Sequence, residues 1–265
     1  MRSGVNDDIL LAKLLRRDNA IIVAGACTIA LLGWAYLFYQ SWAMEHMDLV
    51  AMAMPSTGAW GAVDLLLVFG MWAVMMVAMM VPSATPMLLT FATISRSRCA
   101  QGRTFVPLWV FLAGYLVLWT AFSLAATLAQ WGLHSLALIS PMMIATSPLL
   151  GSLLLTAAGV YQFTPLKQAC LTHCRSPLQF LLTCWQDGSA GAFLMGLRHG
   201  AYCLGCCWLL MVVLFAVGVM NLAWIAALSV FALLEKIIPR GFWVAKIVGL
   251  FLMGLGGWVA ISGAV

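Results

Sequence analysis

Charge is scarce in this chain. Asp, Glu, Lys and Arg together make up 8% of its 265 residues, against about 25% in a soluble domain, so there is too little polar surface to clothe a water-exposed globule. Acid is scarcer still, at 8 Asp and Glu, and no two of them fall where a hydrolase would place an acid–base pair. No glycine-rich phosphate loop is present, which removes the common nucleotide-using enzymes. Internal repeats and low-complexity segments are absent as well.

What is abundant is hydrophobicity, 64% of residues, gathered in runs near the roughly 20 residues that a helix needs to cross hydrocarbon. The sequence therefore predicts an all-α fold, a polytopic membrane helix bundle of about seven transmembrane helices. A polar segment, 1–19, precedes a single transmembrane domain, 20–265. The spans fall near 20–40, 62–81, 105–129, 148–164, 192–218, 220–235 and 242–263. The first lacks a small-residue cleavage site after a short apolar core and reads as a retained anchor. Pro82 and Pro86 are expected to kink or end the second, because proline removes a backbone donor and clashes with the preceding turn; a further apolar piece, Met87 to Ile94, follows. Pro165 limits the fourth. The sixth is short, and a re-entrant version of it would leave six spans.

Basic residues set the expected orientation. With the N-terminus cytoplasmic, all 13 Lys and Arg fall in the N-terminal segment or on the inner side of the spans, from Arg96, Arg98 and Arg103 to Lys236, Arg240 and Lys246. The outer loops, about 41–60, 130–147 and 219–221, hold none. The C-terminus is then extracytoplasmic, and the expected home is the cytoplasmic (inner) membrane of a bacterium. The net charge of +5 follows topology and does not point to nucleic acid.

Four features stand out from the apolar background. The outer loop 41–60 carries Met44, His46, Met47, Met52 and Met54 beside Glu45 and Asp48. Thioether and imidazole suit copper, and thioethers bind Cu(I) where free thiols would oxidise; the plainer alternative is an interfacial helix with Met as adaptable filler. On the second span, Met71, Met75 and Met79 form one stripe and Met76 and Met80 the next, since residues four apart are neighbours on a helix. Such a ladder would pass a soft cation without burying fixed charge, or would simply pack. On the fifth span, His199, Cys203 and Cys206 share one face with Cys207 beside them, a half-site of N and S donors awaiting another helix. The alternative is a close-packed face of small residues, with Gly196 and Gly200 admitting a neighbour. Intramembrane charge needs partners, and Glu235 and Lys236 lie at a depth to match His199 and Arg198. In the inner connection 166–190, the string CLTHC sets Cys170 and Cys174 one turn apart, with His173 between them. In a reducing compartment these read as metal thiolates or as incidental thiols. Cys27, Cys99, Cys184 and His134 have no evident partners.

The strings MWAVMMVAMMVPSATPM (71–87), GVYQFTPLKQACLTHCRSP (159–177) and GAYCLGCCWLLMVVLFAVGVMNLAWIAALSVFALLEK (200–236) resemble those of a bacterial family of metal-binding integral membrane proteins. Its members include a membrane copper chaperone that accompanies a bacterial tyrosinase. The resemblance runs from about Trp42 to Lys236 and implies copper delivery to a cuproenzyme, with no enzymatic activity of its own. Carried over by position, it points to the Met44–Met54 loop, the Met71–Met80 face, Cys170, Cys174, His199, Cys203, Cys206 and Cys207. Two other classes compete: a membrane thiol–disulfide oxidoreductase built on Cys203 with Cys206 or Cys207, and a structural assembly subunit in which the sulfurs only pack. A zinc transporter fits less well, because Asp64 is the only acid in the second span.

Overall fold

A computed structural model describes residues 3–45, 60–138, 146–238 and 241–263, with side chains from Asn19 onward in the first of these and up to Ala43. The Met-rich loop residues His46, Met47, Met52 and Met54 lie outside the described residues, as does the side chain of Met44.

The described chain is all-helical. In order, its helices are α1 (Ser3–Glu45), α2 (Ala62–Ala100), α3 (Leu108–Ser135), α4 (Pro148–Tyr161), α5 (Pro165–Arg175), α6 (Pro177–Cys184), α7 (Gly188–Val212), α8 (Leu214–Val217), α9 (Leu222–Ile237) and α10 (Gly241–Ser262). The local sequence explains many of these boundaries. Proline, which has no N–H to leave orphaned, stands at the start of α4, α5 and α6. Thr164 caps α5 by accepting from Lys167 N, and Asn221 caps α9 by accepting from Trp224 N, both at 3.3 Å. Gly218, at φ 101°, turns the chain between α8 and α9.

Five helices are long and apolar enough to cross a membrane, and α4 with α5, bent by 62°, makes up to six. The sequence predicts seven; the shortfall is the sixth expected span. At 16 residues, α9 rises only about 24 Å at roughly 1.5 Å per residue, short of the roughly 30 Å hydrocarbon core. The prolines of the second span do not end it: α2 is one helix of 39 residues with Pro82 and Pro86 inside. Beside the prolines, Ser83 Oγ donates to Met80 O at 2.9 Å and the Tyr115 hydroxyl reaches the same carbonyl at 3.3 Å. At about 58 Å long, α2 overshoots the bilayer, so the end bearing Arg96 and Arg98 projects beyond hydrocarbon. Large apolar side chains face outward, among them Leu31, Leu250 and Trp258, at 69%, 61% and 67% exposed. Hydrocarbon tolerates such a surface and water does not.

Within the bundle, α7 lies against α3, α5 and α9. The α3–α7 approach depends on glycine: a Cβ on Gly196 would run into the Phe111 carbonyl, and one on Gly114 into that of Phe193. This closeness brings the polar face of α7 into the middle of the bundle. A second close pair, α4 with α10, meets where a Cβ on Gly159 would stand 2.7 Å from Gly249 O.

Candidate metal centre

The stripe anticipated on the fifth span is the buried face of α7. His199, Cys203, Cys206 and Cys207 are all buried, with the three cysteines at 0%, 0% and 1% exposure. All three thiols are free. From α5, Cys174 is buried in the same core cluster as Cys203, Cys206 and Cys207 and lies beside Cys203 and Cys206. Four thiols from two helices thus converge in a dry interior, which supplies the second helix that the α7 face lacked.

Cys203 is the hub. Its sulfur lies 3.1 Å from Lys236 Nζ and 3.2 Å from the Tyr115 hydroxyl. Its backbone carbonyl accepts from Cys206 Sγ at 3.1 Å and Cys207 Sγ at 2.9 Å. Lys236 also donates to Ser83 Oγ at 2.8 Å. Cys206 and Cys207 aim at a carbonyl, and no group of three or more His, Cys, Asp or Glu side chains placed to hold a metal occurs among the described residues. Rotating those two thiols about χ1, between staggered wells, would free them from the carbonyl; the donor set itself is that of a soft-metal thiolate site.

A cavity of about 220 Å³ adjoins this hub, lined by Ser83, Pro86, Met87, Cys174, Arg175, Pro177, His199, Lys236 and Ile237. His199 is 3% exposed and stacks on Tyr115 at 5.5 Å. Its Nδ1 is buried with no hydrogen-bond partner among the described residues. The expected pairing of His199 with the end of the sixth span is met in part: Lys236 shares its cavity, but Glu235 turns instead to Lys167, 2.7 Å away, both fully buried.

The methionine face of α2 points inward. Met71, Met75, Met76, Met79 and Met80 are 5% exposed or less and belong to the same apolar cluster as the three α7 cysteines. Tyr115 links them to the hub by touching both Met80 O and Cys203 Sγ. Cys170 sits half-buried on α5 with its sulfur toward α7, close enough that a Cβ on Gly205 would be 2.7 Å from it. His173 is exposed, lies flat on Tyr202 at 4.2 Å, and its Nδ1 meets Ala169 O, so it stands away from the four thiols. Among the cysteines without evident partners, Cys27 and Cys99 are exposed and Cys184 is half-buried, and His134 rests on Trp60.

Residues 69–259 match the model of the PpoB2 copper chaperone family. The chain belongs to that family. The match covers well over half of the chain and includes the α2 methionines, Cys174, and the α7 cysteines. No curated protein and no solved structure matches. Membership in a copper chaperone family makes copper the cargo, points to a non-catalytic role, and implies a copper-using client. The apolar helices place this chaperone in a membrane.

Sequence reasoning missed several residues of the centre. Tyr115 has a signal: Phe111, Tyr115 and Trp119 recur every four residues and are all buried. Lys167 has one too, since Lys167, Leu171 and Cys174 form one buried face of α5, and a thiol placed inward by that spacing draws the lysine in with it. Ser83 has none beyond its place between two prolines.

Proposed function

We propose that this protein holds Cu(I) on Cys174, Cys203, Cys206 and Cys207 and hands it to a copper-requiring enzyme or its assembly. The observation that carries the reading is the convergence of the α5 thiol on those of α7. Cu(I) favours few, soft ligands, and thiolates select it over the harder divalent ions. Incidental thiols placed for packing would have no reason to arrive from two helices at one point. Met75, Met79 and Met80 extend the soft surroundings along α2, and Met71 continues them toward its N-terminal end. Cys170 and His173, on the part of α5 that meets Gly205 and Tyr202 of α7, are available as a transfer pair. Met44, His46, Met47, Met52 and Met54 are assigned by residue type to the opposite side, where thioethers outlast thiols.

The same reading places the N-terminus in the cytoplasm of a bacterial cell and the C-terminus outside it. It is supported by the grouping of basic residues, since Arg98 and Arg103 meet at Asp187 and Arg175 meets the end of α9 at Ile238 O. The thiols then lie toward the reducing side.

The test is anaerobic Cu(I) titration of the detergent-purified protein against a competing chelator. A Cys203/Cys206/Cys207→Ser variant is expected to lose tight binding. A Met44/Met47/Met52/Met54→Leu variant is expected to keep it. Undiminished binding by the serine variant overturns the assignment.

A further inference from the structure

The thiols are buried, so cargo must reach them by some path, and the cavity beside the hub has a composition of its own. Two of its lining side chains, Arg175 and Lys236, carry positive charge and none is acidic. Such a chamber repels a bare cation, because like charge at short range in a low-dielectric wall is costly. Yet three of its lining groups are soft or borderline metal donors: the Met87 thioether, the Cys174 thiol and the His199 imidazole. His199 offers a buried ring nitrogen with no partner among the described residues. Two of the cavity's lining residues, Pro86 and Ile237, are exposed. A bare Cu(I) ion does not fit this pattern; a Cu(I) ion wrapped in negative charge does.

We propose that this cavity is a receiving site for Cu(I) presented as a complex with a small anionic thiolate, and that Met87 and His199 take the metal there before Cys174 draws it to Cys203 and Cys206. The inference rests on the Cu(I) reading above and adds the chemical form of the substrate. The volume fits: about 220 Å³ holds roughly seven waters at about 30 Å³ each, room for a metal with a small-molecule arm and too little for a folded carrier. Cys174 is the one thiol that lines the cavity, and it is buried in the same cluster as the α7 cysteines, so it joins the two sites. The exchange balances without an oxidant. The copper–sulfur bond to the carrier breaks, a copper–sulfur bond to Cys174 forms, and the proton leaving the Cys174 thiol goes to the departing carrier thiolate. Copper remains Cu(I) throughout.

The experiment separates this inference from the binding reading. Equilibrium titration against a chelator reports whether Cu(I) binds, and a protein that binds none overturns both. Rates then decide the inference. Cu(I) is presented anaerobically as its complex with mercaptoacetate, which is anionic, or with cysteamine, which is cationic, and loading is followed by the thiolate–copper charge-transfer absorbance in stopped flow. Loading is expected to be faster from mercaptoacetate by on the order of tenfold, the lower range of electrostatic focusing in a charged cleft. Met87→Leu, a volume-conserving change, is expected to slow loading from mercaptoacetate at least severalfold. Arg175→Gln is expected to erode the preference between carriers. Equal rates from the two complexes, or wild-type loading by Met87→Leu, overturn the receiving site even where equilibrium binding is intact.

Discussion

Replacing Lys167 by Met tests how Cys174 is held in place. The Lys167 ammonium and the Glu235 carboxylate are 2.7 Å apart, and both are fully buried. Lys167 also donates to the Gln162 side chain and lies 5.4 Å over the Phe231 ring. The pair fastens α5 to α9, and Cys174 lies two turns along α5 on the same buried face. Removing one partner of such a pair strands the other charge, at a cost of about 3–5 kcal/mol; Glu235 Oε2 already has no hydrogen-bond partner among the described residues. At roughly 2–4 °C per kcal/mol for a chain approaching this size, Lys167→Met should lower the melting temperature in detergent by about 6–20 °C. Lys167→Met with Glu235→Leu should recover most of that loss, because two apolar groups of similar volume replace a buried pair with little penalty. Differential scanning of the purified variants reads both quantities. If the single variant melts like wild type, or the double variant is as unstable as the single, the pair is not what pins α5.

Other consequences can be measured separately. Gly196→Ala should destabilise the bundle severely, because its Cβ would run into the Phe111 carbonyl, whereas Gly70→Ala, with nothing within 4 Å, should be neutral or gain about 0.5–1 kcal/mol; thermal melts in detergent rank the two. Asp187 lies outside the spans, and the Trp185 indole N–H and then the Arg98 guanidinium hold its carboxyl below the usual range. A lowered folded pKa means the contact is fully present above the ordinary carboxylate range and is lost as pH falls through the lowered value. Trp185 fluorescence should therefore stay flat from neutral pH down to that range and change only below it; a transition nearer neutrality would refute the assignment. Met71/Met75/Met79/Met80→Leu should fold, at less than about 1.5 kcal/mol per site, and lose copper transfer to the far side of reconstituted vesicles; unchanged transfer would assign the stripe to packing.

The sequence carried the helical class, the positions of the spans and the face of α7, because hydrophobic run length and the 3.6-residue repeat are local properties. It also set the limit of the fourth span at Pro165, where α4 has given way to α5. Which helices are neighbours was not legible, and the centre depends on that: Cys174 meets Cys203 only because α5 folds back at 62° after α4. The proline pair, expected to kink or end the second span, does not end it. Pro82 and Pro86 lie inside a continuous α2, where Ser83 and Tyr115, the latter from a different helix, both hydrogen-bond to Met80 O. His173 adjoins Cys174 in the sequence, yet consecutive residues on a helix point about 100° apart, and its ring stacks on Tyr202 rather than joining the thiols of α7.

Charge balance separates a cargo site from a packed core. The end of α9 carries two charged residues, Glu235, fully buried, and Lys236, partly buried, and α5 adds the buried Lys167. Lys167 takes Glu235, while the hydrogen bonds of Lys236 go to Ser83 and Cys203. A bundle that only needed to pack would gain by an apolar residue there, since a charge at membrane depth costs about 2.5–3.5 kcal/mol on insertion scales. Against a metal site the same charge has a use. Cu(I) held by two thiolates carries a net charge of one minus, and an ammonium in contact with one of those sulfurs brings the assembly to neutrality. Lys236→Met should therefore leave the protein folded and weaken Cu(I) binding by about ten- to a hundredfold, the worth of a hydrogen bond to a charged group at about 1.5–3 kcal/mol, with Lys236→Arg restoring part of it. Chelator competition measures both, and undiminished affinity in Lys236→Met would show that the lysine serves packing alone.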